Sequence, residues 1–203
     1  MTVFLTVAAL LTSVQGWSLA FLIAAVLCGQ LSVGWLNDLV DAALDGSVAR
    51  ANKPLVAGTL QRSALKVAIA IALILVVPLS FLAAGWLGGL AHILAVASAH
   101  IYNLYLSRTI WSWLPYAVSF GLLPFFVAQA ASTDLWPETT MTALFVLVGV
   151  IAHLLNAMPD IAIDREAGKG GLAVSLGRKK SLLLASGLLV VAIGFASYLV
   201  SLL

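Results

Sequence analysis

Charge is what this 203-residue chain has least of. Only 9% of its residues are Asp, Glu, Lys or Arg, against 63% hydrophobic, and mean hydropathy is +1.12. So little charge excludes a water-soluble domain and identifies an integral membrane protein. No polar stretch is long enough for a soluble domain, and low-complexity segments are absent. A single cysteine, Cys28, sits inside an apolar run, so no intrachain disulfide can form and a small packed side chain is expected. Of the three histidines, His92 and His153 sit within spans without metal-ligand spacing, and packed, hydrogen-bonded roles are expected for them. A net charge of +2 gives no reason to expect a nucleic-acid partner.

The apolar runs predict an all-α, polytopic transmembrane bundle in one domain over residues 1–203, with about seven spans. These are Thr2–Val14 (short for a span), Trp17–Leu36, Ser63–Ala84, Trp86–Leu106, Ile110–Ala131, Thr139–Ala157 and Ser181–Leu203. Threaded this way, all ten Lys and Arg fall on one side, while Asp134 and Glu138 fall on the other. The positive-inside rule makes the basic side cytoplasmic. That puts the N-terminus inside, the C-terminus outside, and the loops 37–62 and 159–180 at the cytoplasmic face.

The few acids are concentrated. Asn37-Asp38-Leu39-Val40-Asp41-Ala42-Ala43-Leu44-Asp45 closes the second span. If the helix continues, Asn37, Asp38, Asp41 and Asp45 share about a quarter of its circumference, by the 100° step per residue. Carboxylates so close repel one another and are costly near a membrane, so a cation should occupy that face. Oxygen donors without Cys or His point to a hard divalent ion such as Mg²⁺. After the sixth span, Asp160 and Asp164 repeat the D-x-x-x-D spacing. Arg50 and Lys53 follow the first set, Arg165 and Lys169 the second. Carboxylates that hold Mg²⁺ beside Lys and Arg are the parts needed to grip a diphosphate. The other cations, Arg62, Lys66 and Arg178–Lys180, read as topology determinants. Tyr102, with Asn103, either anchors the fourth span at the interface or lines the site. Gly168-Lys169-Gly170-Gly171 lacks the strand–loop–helix setting of a phosphate loop.

In combination, N-D-x-x-D-x-x-x-D, then K-P-L-x-x-G, then Y-N-x-x-x-x-R-T from Tyr102, then D-x-x-x-D resembles the UbiA-type membrane prenyltransferase superfamily over about residues 17–190. The resemblance implies a helical bundle around a cavity, capped by both acidic motifs. It also implies Mg²⁺-dependent transfer of a polyprenyl group from an allylic prenyl diphosphate to an acceptor in the bilayer, an alkyl (non-methyl) group transfer. It assigns metal binding to Asn37, Asp38, Asp41, Asp45, Asp160 and Asp164, with Asp41, Asp45, Asp160 and Asp164 catalytic. Diphosphate binding falls to Asn37, Arg50, Lys53, Tyr102, Arg108 and Lys169. The family typically has about nine spans, so seven imply a short member with fewer helices at both ends. Ser107 stands where a lysine is common, and Gly170-Gly171 where an Arg/Thr-type pair often appears. The residues leave the acceptor open among an aromatic acid, a quinone precursor, a lipid alcohol and a tetrapyrrole; phosphoribosyl transfer also occurs in the superfamily. The competing readings are a catalytically lapsed homologue, an isoprenoid- or cation-binding membrane protein, and a CDP-alcohol phosphatidyltransferase. The last is suggested by Asp45-Gly46-Ser47-Val48-Ala49-Arg50, but the two further aspartates of its signature are missing nearby.

Overall fold

A computed structural model describes residues 14–47, 53–132 and 134–202. Among them every regular element is a helix, and five helices are long and apolar enough to cross a membrane. Helix α1, Gly16–Ser47, is 32 residues long. At 1.5 Å per residue it spans about 48 Å, well beyond a hydrocarbon core of about 30 Å. The excess is the acidic motif, which rides on the same helix instead of leaving it as a loop.

Helix α2, Arg62–Leu104, runs for 43 residues but is not straight. Ala84 (φ −139°, ψ 19°) and Gly85 (φ 63°, ψ −162°) leave the helical region. Ser80 Oγ and His92 Nδ1 are 2.7 Å apart, although twelve residues separate them; a straight helix would hold them about 18 Å apart. The helix therefore folds back on itself, at a glycine whose positive φ needs no Cβ. The ring of Phe81 stacks on Trp86 across the bend at 5.2 Å. Pro78 is absorbed within the first half. Counting both halves, the described residues cross the membrane six times, matching six of the seven expected spans. Residues 2–13 of the first expected span lie outside the described residues.

Helices α3 (Leu114–Gly121) and α4 (Leu123–Ala131) together make one crossing. Each carries proline in its first turn, Pro115 and Pro124, where the missing N–H costs nothing. The fifth expected span thus begins at Leu114, not Ile110, because residues 110–113 form a turn. Helix α5, Thr139–Ala157, passes through a 3₁₀ turn, Met158–Asp160, into the short α6, Ile161–Glu166. A five-residue α7, Leu172–Leu176, leads to α8, Arg178–Val200.

Small residues let these helices approach closely. A Cβ on Gly149 of α5 would stand 2.5 Å from the Tyr116 carbonyl oxygen of α3, and one on Gly121 would stand 2.7 Å from Val146. The tight core of Leu22, Val26, Ala83, Leu123, Phe126 and Phe145 fills the bundle end that carries the α2 bend. Large apolar side chains such as Ile74, Leu183 and Val190 face outward, as lipid contact requires. Helix directions put Asp41, Lys53, Arg108, Asp164 and Arg178 at one end of the bundle, and Asp134 and Glu138 at the other.

Candidate active site

A cavity of about 990 Å³ opens at the charged end. Its depth is apolar, lined by Val26, Ala95, Val96, Phe120, Leu123 and Val148. Its mouth is polar. Helix α1 contributes Asn37, Asp38, Asp41 and Asp45; the end of α2 and the turn after it contribute Tyr102, Asn103, Ser107 and Arg108. The α5–α6 region contributes Asn156, Asp160, Asp164, Lys169 and Gly170. Two acidic motifs more than a hundred residues apart therefore look into one space.

The cation expected on the α1 face is present, and it is lysine. Lys53 Nζ lies 2.9 Å from Asp38 Oδ1 and 2.8 Å from Asp45 Oδ2. Its backbone carbonyl accepts from the Val56 and Ala57 N–H groups, a turn that swings the chain back beside α1. Burial opposes the charge on Lys53, but hydrogen bonds to Asp45 and Asp38 outweigh it and hold the ammonium above its usual pKa of 10.5. The stability this contributes is fully present below the usual value of 10.5 and is lost as pH rises from there through the elevated one. The Asp45 side chain is 3% exposed, and it lines the cavity beside Asp38 and Asp41.

Lys169 joins the two motifs. Its Nζ donates to Asp41 Oδ1 at 2.7 Å and lies 3.7 Å from Asp164 Oδ1. The backbone explains why. Helix α6 ends in paired bonds, Gly168 N–H to the Arg165 carbonyl and Lys169 N–H to the Asp164 carbonyl, with Gly168 at φ +68°. This is a Schellman motif, in which a left-handed glycine reverses the chain over the last helical turn. Lys169 is thereby delivered back beside Asp164.

The following residues are clamped. Gly170 packs directly on the Arg108 carbonyl oxygen, and Gly171, at φ +120°, packs near that of Ser107. The Leu172 N–H donates to Ser112 Oγ at 2.9 Å, and Ser112 Oγ is 3.0 Å from His153 Nε2. The glycine pair thus stands where its loop crosses the 106–112 turn with no room for a side chain at Gly170.

The rings and amides set the cavity walls. Tyr102 faces the cavity and meets Tyr116 edge-on at 5.2 Å. Asn103 Nδ2 donates to the Val33 carbonyl at 2.8 Å, tying α2 to α1 beneath the motif. His92 bonds Ser80 and stacks on Phe126 at 4.4 Å, while His153 bonds Ser112. Both are packed, hydrogen-bonded histidines. Arg50 lies outside the described residues.

Residue chemistry overlooked one member. Asn156 also lines the mouth, and it precedes Asp160 by four residues. The second motif therefore reads N-x-x-x-D-x-x-x-D, the same spacing as Asn37, Asp41 and Asp45. Comparing the two motifs letter by letter would have found it.

The sequence pattern of the UbiA prenyltransferase family matches residues 1–203, the whole chain. The chain belongs to the UbiA prenyltransferase family. A similar solved structure is that of a UbiA homolog from Aeropyrum pernix K1 in its apo form, with a TM-score of 0.77 and 20% sequence identity. The superposition covers 95% of this chain and 74% of that one. At that identity the likeness is one of fold. No curated protein matches the chain. UbiA membership sets aside the phosphatidyltransferase reading of Asp45–Arg50, and the family's members are prenyltransferases.

Among the described residues, no three Asp, Glu, His or Cys side chains stand close enough to form a closed metal cage. Mg²⁺ does not need one. It keeps several waters and is commonly held by one or two carboxylates plus substrate phosphates. Asp41 and Asp164, brought together around one ammonium, fit that mode with oxygen donors only.

Proposed function

We propose that this UbiA family member transfers a polyprenyl group from an allylic prenyl diphosphate to an acceptor within the membrane, with Mg²⁺. The observation that carries this reading is the convergence of both aspartate motifs, joined through Lys169, at the polar mouth of one apolar cavity. Asp41 and Asp164, with Asn37, Asp38 and Asp160 beside them, would hold Mg²⁺, while Asp45 braces Lys53. When bound, Mg²⁺ supplies positive charge to the departing pyrophosphate.

The chain's own residues do the remainder. Lys169 and Arg108 present ammonium and guanidinium donors at the mouth, where charge-assisted bonds to diphosphate oxygens strengthen as the C1–O bond breaks and negative charge collects on the leaving group. Lys53 lines a separate small pocket behind Asp38 and Asp45 and acts by holding those two carboxylates. Val26, Val96, Phe120 and Leu123 accept the prenyl tail and keep water from the allylic cation. Tyr102 and Tyr116 line the same cavity, edge-on to each other at 5.2 Å. The acceptor forms the new bond to C1 and loses a proton, which balances the release of pyrophosphate.

The test is radiolabelled prenyl diphosphate incubated with the purified protein and a membrane extract. Label should move into an organic-soluble product only with Mg²⁺, and mass spectrometry of that product identifies the acceptor. Mg²⁺-dependent diphosphate binding without any transfer would instead support a lapsed homologue.

The charged mouth is proposed to face the cytoplasm, because the basic residues gather there. A reporter inserted after Glu166 should then report a cytoplasmic location, and one fused after Leu203 an external one. The reverse pattern would place the site on the opposite side.

A further inference from the structure

Lys169 is placed to do more than bind diphosphate. In this structure its ammonium occupies the position between Asp41 and Asp164 where a metal would have to bind. We propose that Lys169 is a placeholder cation, which closes the metal position until diphosphate arrives to receive it. Metal and diphosphate then bind as a coupled pair, and free Mg²⁺ binds poorly. This rests on the proposed reading of the two aspartate motifs as Mg²⁺ ligands.

Three features of the mouth support an exchange at Lys169 and not at Lys53. Lys169 is anchored by its backbone, through the bond to the Asp164 carbonyl, so its flexible stem can pivot while the loop stays in place. Its partners are accessible, with the Asp41 and Asp164 side chains 28% and 24% exposed. Lys53, by contrast, lies 2.8 Å from the almost fully buried Asp45 and 2.9 Å from Asp38, and withdrawing it would remove a charge partner from a buried carboxylate.

The electrostatics give the coupling its direction. A divalent ion entering between Asp41 and Asp164 must displace the ammonium, and without an anion nearby the two cations repel each other. Diphosphate removes that penalty by accepting Lys169 and bridging to the metal. The carboxylates remain satisfied in both states, first by lysine and then by metal. Without diphosphate, the protein should not collect divalent ions on its half-buried acids.

The experiment measures Mn²⁺ bound to the full detergent-solubilised chain by electron paramagnetic resonance. Free Mn²⁺ is held constant by a metal buffer, with or without inorganic pyrophosphate. In the wild type, pyrophosphate should raise Mn²⁺ affinity strongly, within the range of about 5–150-fold typical of coupled sites. Lys169→Gln should bind Mn²⁺ without pyrophosphate about tenfold more tightly than wild type and lose most of the coupling. Lys169→Arg, which keeps the charge, should stay near wild type. Lys66→Gln removes an exposed cation of the same bundle end and should change little. The proposal is overturned if wild type binds Mn²⁺ alone as tightly as Lys169→Gln, or if Lys66→Gln has the same effect, which would mark a general charge effect. Failure of every protein to take up Mn²⁺, even with pyrophosphate, overturns the ligand reading as well.

Discussion

Asp41→Asn should abolish turnover, lowering the transfer rate by at least about 10²–10³-fold, the usual loss when one preorganised electrostatic contact to a transition state is removed. The change keeps side-chain size and removes charge, so helix α1 should form as before. From the sequence alone, removing one of three neighbouring carboxylates only relieves repulsion, and ligand-free stability should hold or rise. The structure changes that sign. Asp41 accepts from Lys169 at 2.7 Å, with both side chains less than a third exposed, so the substitution should cost up to about 1 kcal/mol without ligand. Differential scanning fluorimetry separates the two effects. Mg²⁺ with pyrophosphate should stabilise the wild type by about 2.7 kcal/mol at a hundredfold excess over Kd, and Asp41→Asn by much less. Equal stabilisation of both proteins would mean that Asp41 is not a ligand. Asp134→Asn, at the other end of the bundle, should change neither activity nor ligand response.

What could be foreseen in this site followed from local periodicity. The arc of Asn37, Asp38, Asp41 and Asp45 was legible because a helix spaces every fourth residue along one face, and α1 runs through the motif unbroken. The spans were legible because crossing a bilayer demands long apolar runs, and the bend at Ala84–Gly85 lies where the third and fourth expected spans meet. Distances between segments were not. Nothing in composition says that Lys169 will reach Asp41 across 128 positions, or that Asp45 will be sealed against Lys53. Those contacts depend on how two loops fold over the mouth. A sequence reading that assigns both lysines to diphosphate sees the ligand-bound demand and misses the charges that must be balanced beforehand. Helix boundaries at 110–113 also escaped, because hydropathy alone does not distinguish an apolar turn from the first turn of a helix.

Gly170→Ala should cripple the site far more than Gly168→Ala, although the two glycines are neighbours in one loop and the same atom is added. At Gly168 a Cβ would meet nothing within 4 Å, and only the positive φ of +68° resists it. That strain costs about 1–2 kcal/mol for an L-residue. At Gly170 the added carbon would run into the Arg108 carbonyl oxygen, a backbone atom with no rotamer to escape into. The loop would have to lift off the 106–112 turn. Gly171 would then leave the Ser107 carbonyl, and the Leu172 N–H would lose Ser112. Lys169, one residue away, would lose its register with Asp41. Overpacking of this kind costs about 1–3 kcal/mol, but the larger expected effect is on chemistry, because the lysine that joins the two motifs moves with the loop. Gly170→Ala should therefore reduce transfer about as much as Lys169→Gln, with the two losses not adding in the double variant. Gly168→Ala should keep most of its activity, with a modest fall in thermal stability. Comparable activity in both alanine variants would show that the loop does not depend on its seat against Arg108.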